Sequence, residues 1–328
     1  MGWILGIHLL LVDVAMAGPL VCVWLEWRGT RRGDQAADRL GKTLARATNW
    51  ALTLGIALGT LLLAARWGLG DQTYLDAVAA LPRSRLWFAL VELLFSFACM
   101  GAYSALWDRW RDWRWPHRLL AIAAASNLLT HFPAIFTLIS VITTRPELAE
   151  LTLDSAAYRR LLVDPEVLSN LVHVWLASVA VTGALVMALA VRLGRDQTLT
   201  ADAERLTRSA AALTLAPTFL QIPVGLWLAM ALPEIARRSV MGGDAVATGM
   251  FAVGVGLVLV MMQSLVGIAL GDCGPKPVRR TVALMVAVVL LMAETRSRAY
   301  DLAQEFISPA RPVTARSAAT VSADPDTN

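Results

Sequence analysis

Apolar stretches alternate with short, arginine-rich polar connections along nearly the whole chain. A bilayer-crossing helix needs roughly 20 mainly apolar residues. Eight stretches answer that description, at 2–25, 47–65, 87–107, 118–143, 167–191, 209–232, 247–270 and 279–295. The last is the shortest, free of charge only from Thr281 to Ala293. No period-two alternation and no Asn-Gly or Asp-Gly hairpin signal interrupts the pattern, and no internal repeat is visible. The pattern predicts an all-α, polytopic membrane helical bundle of about eight transmembrane helices. We divide it into one transmembrane unit, 1–298, made of two four-helix bundles at 1–143 and 167–298. The segment 299–328, rich in Ser, Thr, Ala and Pro, reads as a disordered tail.

Composition agrees. The 328 residues are 57% apolar and 16% charged, against about 45–50% and about 25% in soluble domains. That excludes a disordered chain, a secreted disulfide scaffold and an ordinary cytosolic enzyme. Cys22, Cys99 and Cys273 are far apart and form no CxxC pair. The net charge of +4 is loop charge at a membrane, not a nucleic-acid footprint.

Charge also orients the chain. The loops after the first, third, fifth and seventh runs carry 17 Lys and Arg residues, and the opposite loops carry 8. The positive-inside rule makes the first set cytoplasmic, so both termini lie outside. The expected location is the inner (plasma) membrane, multi-pass. Ala-Met-Ala at 15–17 resembles a signal cleavage site, but the run lacks a basic leader and contains Asp13.

Ionisable groups inside apolar runs are costly, and each marks a candidate site. They are His8, Asp13, Glu92, His131, His173 and Glu294. Counting residues from the outer ends puts His8, Glu92, His173, Met250 and Glu294 in one layer, with His8 roughly 9 Å along its helix and His131 deeper, at ~17 Å. Histidines, a methionine and carboxylates on different helices at one depth form a donor set for a flat cofactor such as haem. The plainer alternative is hydrogen bonding to neighbouring helices for each histidine and packing for the methionine. His117, after Trp115 and Pro116, reads as a surface residue near the inner interface, and Trp107, Trp110, Trp113 and Trp115 read as an interface belt. Pro217 and Pro223 invite a kink in the sixth run, where Gln221 is placed to satisfy a freed carbonyl.

The order of these residues resembles subunit I of cytochrome bd quinol oxidases. HLLLVDVAMAGPLVCVWLEW at 8–27 is similar to the family's first helix, which begins with a haem-ligating histidine. DRLGKTLARATNWALTLGIALG, ELLFSF at 92–97, WDR at 107–109 and SNL at 126–128 follow in the family's order. LVHVWLASVAVTGA at 171–184, followed by GRD, resembles the segment carrying the low-spin haem histidine. AETRSR at 293–298 resembles a glutamate-bearing haem segment.

The resemblance implies haem b, one to three copies, with haem d as an alternative. It implies that His173 and Met250 ligate a low-spin haem and that His8 ligates a second. Glu294 would serve a third or the same pocket, with Glu92 beside it as the catalytic carboxylates and His131 as a further cofactor-binding residue. It also implies an oxidoreductase of the terminal-oxidase type, set in membrane lipid beside a subunit II-like membrane partner.

The departures are informative. The family's second carboxylate after the one matched by Glu92 is Met100 here, and its ninth helix is missing. Its long quinol-receiving loop is replaced by Pro233 to Ala247, too few residues for a folded cap. The expectation is a haem-binding electron-transfer protein that reduces oxygen or another small diatomic, with electrons from a c-type cytochrome rather than quinol. The alternative is a haem-free membrane scaffold or small-solute carrier.

Overall fold

The computed structural model describes residues 2–145, 148 and 153–307. Among them there is no strand. Eleven α-helices follow in order: α1 Gly2–Arg32, α2 Gln35–Gly68, α3 Gln72–Ala80, α4 Arg83–Ala105, α5 Arg114–Thr143, α6 Ser155–Leu162, α7 Pro165–Leu193, α8 Thr200–Ala231, α9 Glu234–Arg238, α10 Ala245–Leu270 and α11 Pro275–Ile307. Each of the eight apolar runs lies within one long helix, save for the last residues of the third and sixth. Among the described residues, seven helices are long and apolar enough to cross a membrane. The eighth run, in α11, falls short because Lys276, Arg279 and Arg280 precede its apolar part and Glu294 and Arg296 follow it.

Aspartates set five of the helix starts. The side chains of Asp34, Asp71, Asp154, Asp164 and Asp244 each accept a backbone N–H from the first turn of α2, α3, α6, α7 and α10 respectively. Such caps satisfy donors that a helix start leaves open. Gly33, at φ 63°, turns the chain between α1 and α2 in a conformation costly for other residues.

α1 is the central helix, packed against α2, α5, α7 and α11. One hydrophobic cluster runs from Val14 and Leu25 through Met100 and Met187 to Met285, so both halves of the chain share a core. The outward faces of α2, α4, α8 and α10 leave Leu61, Leu94, Phe219 and Val253 exposed, as lipid-facing helices do. The chain is a multi-pass plasma-membrane protein.

The basic loops share one end. Arg39 pairs with Asp196 at 3.3 Å, Lys42 with Asp108, and Arg28 donates to Ser209 at 3.4 Å. At the other end Arg145 meets Asp164 at 2.8 Å and the Tyr300 hydroxyl meets Glu166 at 2.6 Å.

Four local expectations need correction. His117 is fully buried, not a surface residue: its ring stacks on Tyr103 at 4.1 Å and contacts Glu26 at 3.1 Å. Burial follows from Glu26, a carboxylate inside the bundle that gathers His117, Tyr103, Arg114 and Arg118 around it. Trp107 is likewise buried, against Gly41, whereas Trp113 and Trp115 remain exposed. The tail does not begin at 299, because α11 continues to Ile307 and buries Ala299 and Ala303 against Ala236 and Val240; residues 308–328 lie outside the described residues. The short connection 233–247 does fold, as α9 and a π-turn Ser239–Gly243, with Asp244 clamped by Arg298 Nε and Nη2 at 2.8 and 3.0 Å. The Arg298 guanidinium and the Ala247 N–H hold the Asp244 carboxyl down at about 2. The short outer helices α3 and α6 lie in stretches too polar to register as apolar runs.

Candidate functional site

His8 projects from α1 towards α2. A carbonyl can only accept, so the 3.0 Å contact between His8 Nδ1 and the Gly55 carbonyl is an Nδ1–H donation. The neutral ring then keeps its lone pair on Nε2. Gly59, one turn further along α2, makes room for the ring: a Cβ there would lie 2.9 Å from His8 Cε1. A histidine held by a backbone carbonyl on one nitrogen and open on the other is the usual state of a metal-ligating imidazole.

His173 sits on α7 with Nδ1 buried and without a hydrogen-bond partner. One turn outward on the same face, Asn170 donates to Thr137 Oγ1 at 2.5 Å and accepts from Arg296 of α11. Arg296 also reaches Ser140 at 3.4 Å and lies 5.1 Å over the Tyr300 ring. A guanidinium therefore stands beside the His173 pocket.

Between the two histidine helices, Ser178 donates to Asp13 at 2.8 Å. Each partner lies five residues beyond its helix's histidine, so the parallel helices α1 and α7 place His8 and His173 at one level.

The other candidates are distributed differently from the single layer expected. Glu294 meets the start of α1: a Cβ on Gly2 would lie 2.9 Å from its Cα. That is six residues, about 9 Å, outward of His8. Its Oε2 is buried without a partner. Glu92 turns to α5, where Oε1 pairs with His131 Nδ1 at 3.0 Å, and its Oε2 is buried without a partner. Asn127 ties this pair together, its Oδ1 accepting from His131 Nδ1–H at 3.1 Å and its Nδ2 donating to the Glu92 carbonyl at 2.7 Å and Ser96 Oγ at 2.8 Å. Met250 is half-buried on α10. One turn inward, Gly254 faces the Met292 side chain of α11. Glu294, Arg298, Asp301 and Glu305 line an open cleft of about 370 Å³ at the end opposite the basic loops.

Ser178, Asn170, Asn127 and Arg296 are the site neighbours that sequence reasoning did not single out. Their signal was present only as polar residues two to five positions from a marked histidine or carboxylate.

Among the described residues, no group of three or more His, Cys, Asp or Glu converges on one point. The donors stand singly or in pairs. Such a set suits an iron that brings its own macrocycle and needs only one or two axial ligands from protein.

Comparison with known proteins gives the same fold. The family model described as cytochrome bd terminal oxidase subunit I matches residues 1–240. The solved bd oxidase from Geobacillus thermodenitrificans superposes with a TM-score of 0.67 at 14% identity, covering 93% of this chain and 85% of that one. A search of curated proteins gives no match.

Proposed function

As the chain belongs to the cytochrome bd terminal oxidase subunit I family, we propose that it is a haem-binding membrane electron-transfer protein. The observation that carries the proposal is the state of His8: Nδ1 fixed on the Gly55 carbonyl, Nε2 open, and a glycine clearing the ring. The pocket fits an axial ligand, and His173 fits a second, with a buried and unpartnered ring nitrogen. Haem b, when bound, supplies one-electron chemistry whose potential is set by axial ligands and nearby charge.

In this reading His173 and Met250 hold a low-spin haem, and His8 holds another in the first half of the chain. Arg296 places positive charge at the first pocket, which favours the more negative, reduced state. Glu294 and Glu92, each with one buried unpartnered oxygen, are the groups that accept or hold protons near the outer end and at the α4–α5 seam. His131 pairs with Glu92 at 3.0 Å. A pocket with one strong protein ligand is open to oxygen or another small diatomic, which makes the protein an oxidoreductase of terminal-oxidase type. A subunit II-like membrane chain is the partner that the family implies.

The donor follows from the outer end, taken as the end opposite the basic loops. The 233–247 connection is a clamped turn and not a long quinol-receiving loop. The cleft beside it offers three carboxylates, which suit a basic protein donor such as a c-type cytochrome.

The test is the absorbance of purified protein, reduced minus oxidised. Haem α-bands are expected. A colourless preparation would favour the haem-free scaffold or small-solute carrier instead.

A further inference from the structure

Asp13 is the one ionisable side chain between His8 and Glu26 on α1 other than the Cys22 thiol, and only 5% of it is exposed. Its side-chain partner is neutral: the Ser178 hydroxyl on Oδ1 at 2.8 Å, and among the described residues no basic group pairs with it. An ionised carboxylate in that position carries an unbalanced buried charge, which is costly. The helices packed against α1 bring little to balance it. α2 has no Asp, Glu, His, Lys or Arg between Arg46 and Arg66, and α11 has none between Arg280 and Glu294. α5 offers only His131 between Arg118 and Arg145, already engaged by Glu92, and α7 offers only His173 between Glu166 and Arg192.

The nearest places where charge can change are therefore the two histidine pockets. Asp13 lies five residues inward of His8, and Ser178 five residues inward of His173, about 7.5 Å along each axis. The carboxyl stands between the two helices, on the inner side of both pockets.

We propose that Asp13 is the group that takes up a proton when the haem pockets gain an electron. The proposal rests on the haem reading above. One electron arrives in a pocket from the external donor and one proton arrives at the Asp13 oxygen that Ser178 does not engage. The O–H bond formed there cancels the added negative charge, and Ser178 stays on the other oxygen. Oxidation reverses both. Glu92 and Glu294 hold their protons elsewhere: Glu92 pairs with His131 at the α4–α5 seam, and Glu294 meets the start of α1 on the outer side of both histidines, so neither stands between the two pockets.

The experiment is a redox titration of the purified haem-loaded protein at a series of pH values, with Asp13→Asn beside it. Asn keeps the acceptor for Ser178 and the side-chain volume. The wild-type midpoint should fall with rising pH by up to about 59 mV per unit, a tenfold change in proton activity being worth that much for one electron. Asp13→Asn should give a higher midpoint that no longer follows pH. A second readout is the reduced-minus-oxidised infrared difference spectrum, which should show a carboxylic C=O band that Asp13→Asn removes. Ser178→Ala should keep the slope but move it to higher pH, because the carboxylate loses its only donor. A slope and an infrared band unchanged in Asp13→Asn overturn the assignment. If Asp13→Asn does not accumulate, a wild-type difference spectrum without a carboxylic band overturns it alone. A protein with no haem bands at all refutes the underlying haem reading instead, so the two failures are distinguishable.

Discussion

Ser178 donates its hydroxyl to Asp13 across 165 positions of sequence, and the same separation divides His173 from His8. One hydrogen bond thus fixes the register of two parallel helices so that both candidate ligands stand at one depth. From that relationship the haem account makes specific demands on single residues.

Gly59→Leu should empty the His8 pocket. A Cβ there would lie 2.9 Å from the imidazole Cε1, and a larger chain displaces the ring from the Gly55 carbonyl. Loss of such support costs about 10–100-fold in metal affinity. Haem retention during dilution or competition with apo-globin measures it, with circular dichroism as the check on folding. Retention equal to wild type would show that His8 carries no iron.

His173→Ala should remove the low-spin signal while leaving the protein inserted. Met250→Ala should shift that haem's potential or spin state without abolishing binding, because His is the stronger ligand. Electron paramagnetic resonance and optical spectra read both. An unchanged spectrum in Met250→Ala would move the sixth ligand to His131 or another methionine, such as Met292, which faces Gly254 across the α10–α11 seam.

Glu26→Ala should destabilise the inner end of the bundle. It strips the shared acceptor from Tyr103, His117, Arg114 and Arg118, and opening a buried charge cluster of this kind costs about 3–5 kcal/mol. Thermal denaturation in detergent should show a lower midpoint, with Glu26→Gln milder. Equal midpoints in all three proteins would mean that the cluster is held by its neighbours alone.

Reporter fusions after Arg46 and Arg118 should read cytoplasmic, and one after Thr144 external. The motive is the excess of Lys and Arg at the end where Arg39, Lys42, Asp108 and Asp196 meet. Reversed readings would put the outer cleft on the cytoplasmic side and remove its donor.

Reduction should be fast with a soluble or tethered c-type cytochrome and slow with quinol, and the cytochrome rate should fall as salt rises. Stopped-flow mixing with each donor decides this. Fast, inhibitor-sensitive reduction by quinol alone would mean that a quinol site persists without the long loop.

The helices were legible because length and hydropathy dictate them. Depth was partly legible, since residue counts along α1 and α7 place His8 and His173 together. Facing was not. Nothing in the spacing of Glu92 says that it turns to His131, and nothing around Asp13 names Ser178 as its partner. Those pairings depend on which helices are neighbours. The same gap explains His117 and Trp107. A Trp- and Arg-rich stretch resembles an interface anchor, but Glu26, buried far away in sequence, draws it inward. The α11 extension was hidden by a polar surface, because among its described residues Ala299, Tyr300 and Ala303 are the ones that bury against the rest.

The central claim is that this chain holds haem at His8 and at His173. The most direct measurement is the haem-to-polypeptide ratio by pyridine haemochrome in wild type, His8→Ala, His173→Ala and the double variant, all purified from the same membranes. The account predicts that each single variant loses about one haem per chain and that the double variant loses both. A ratio unchanged across all four proteins, or no haem in wild type, would contradict it.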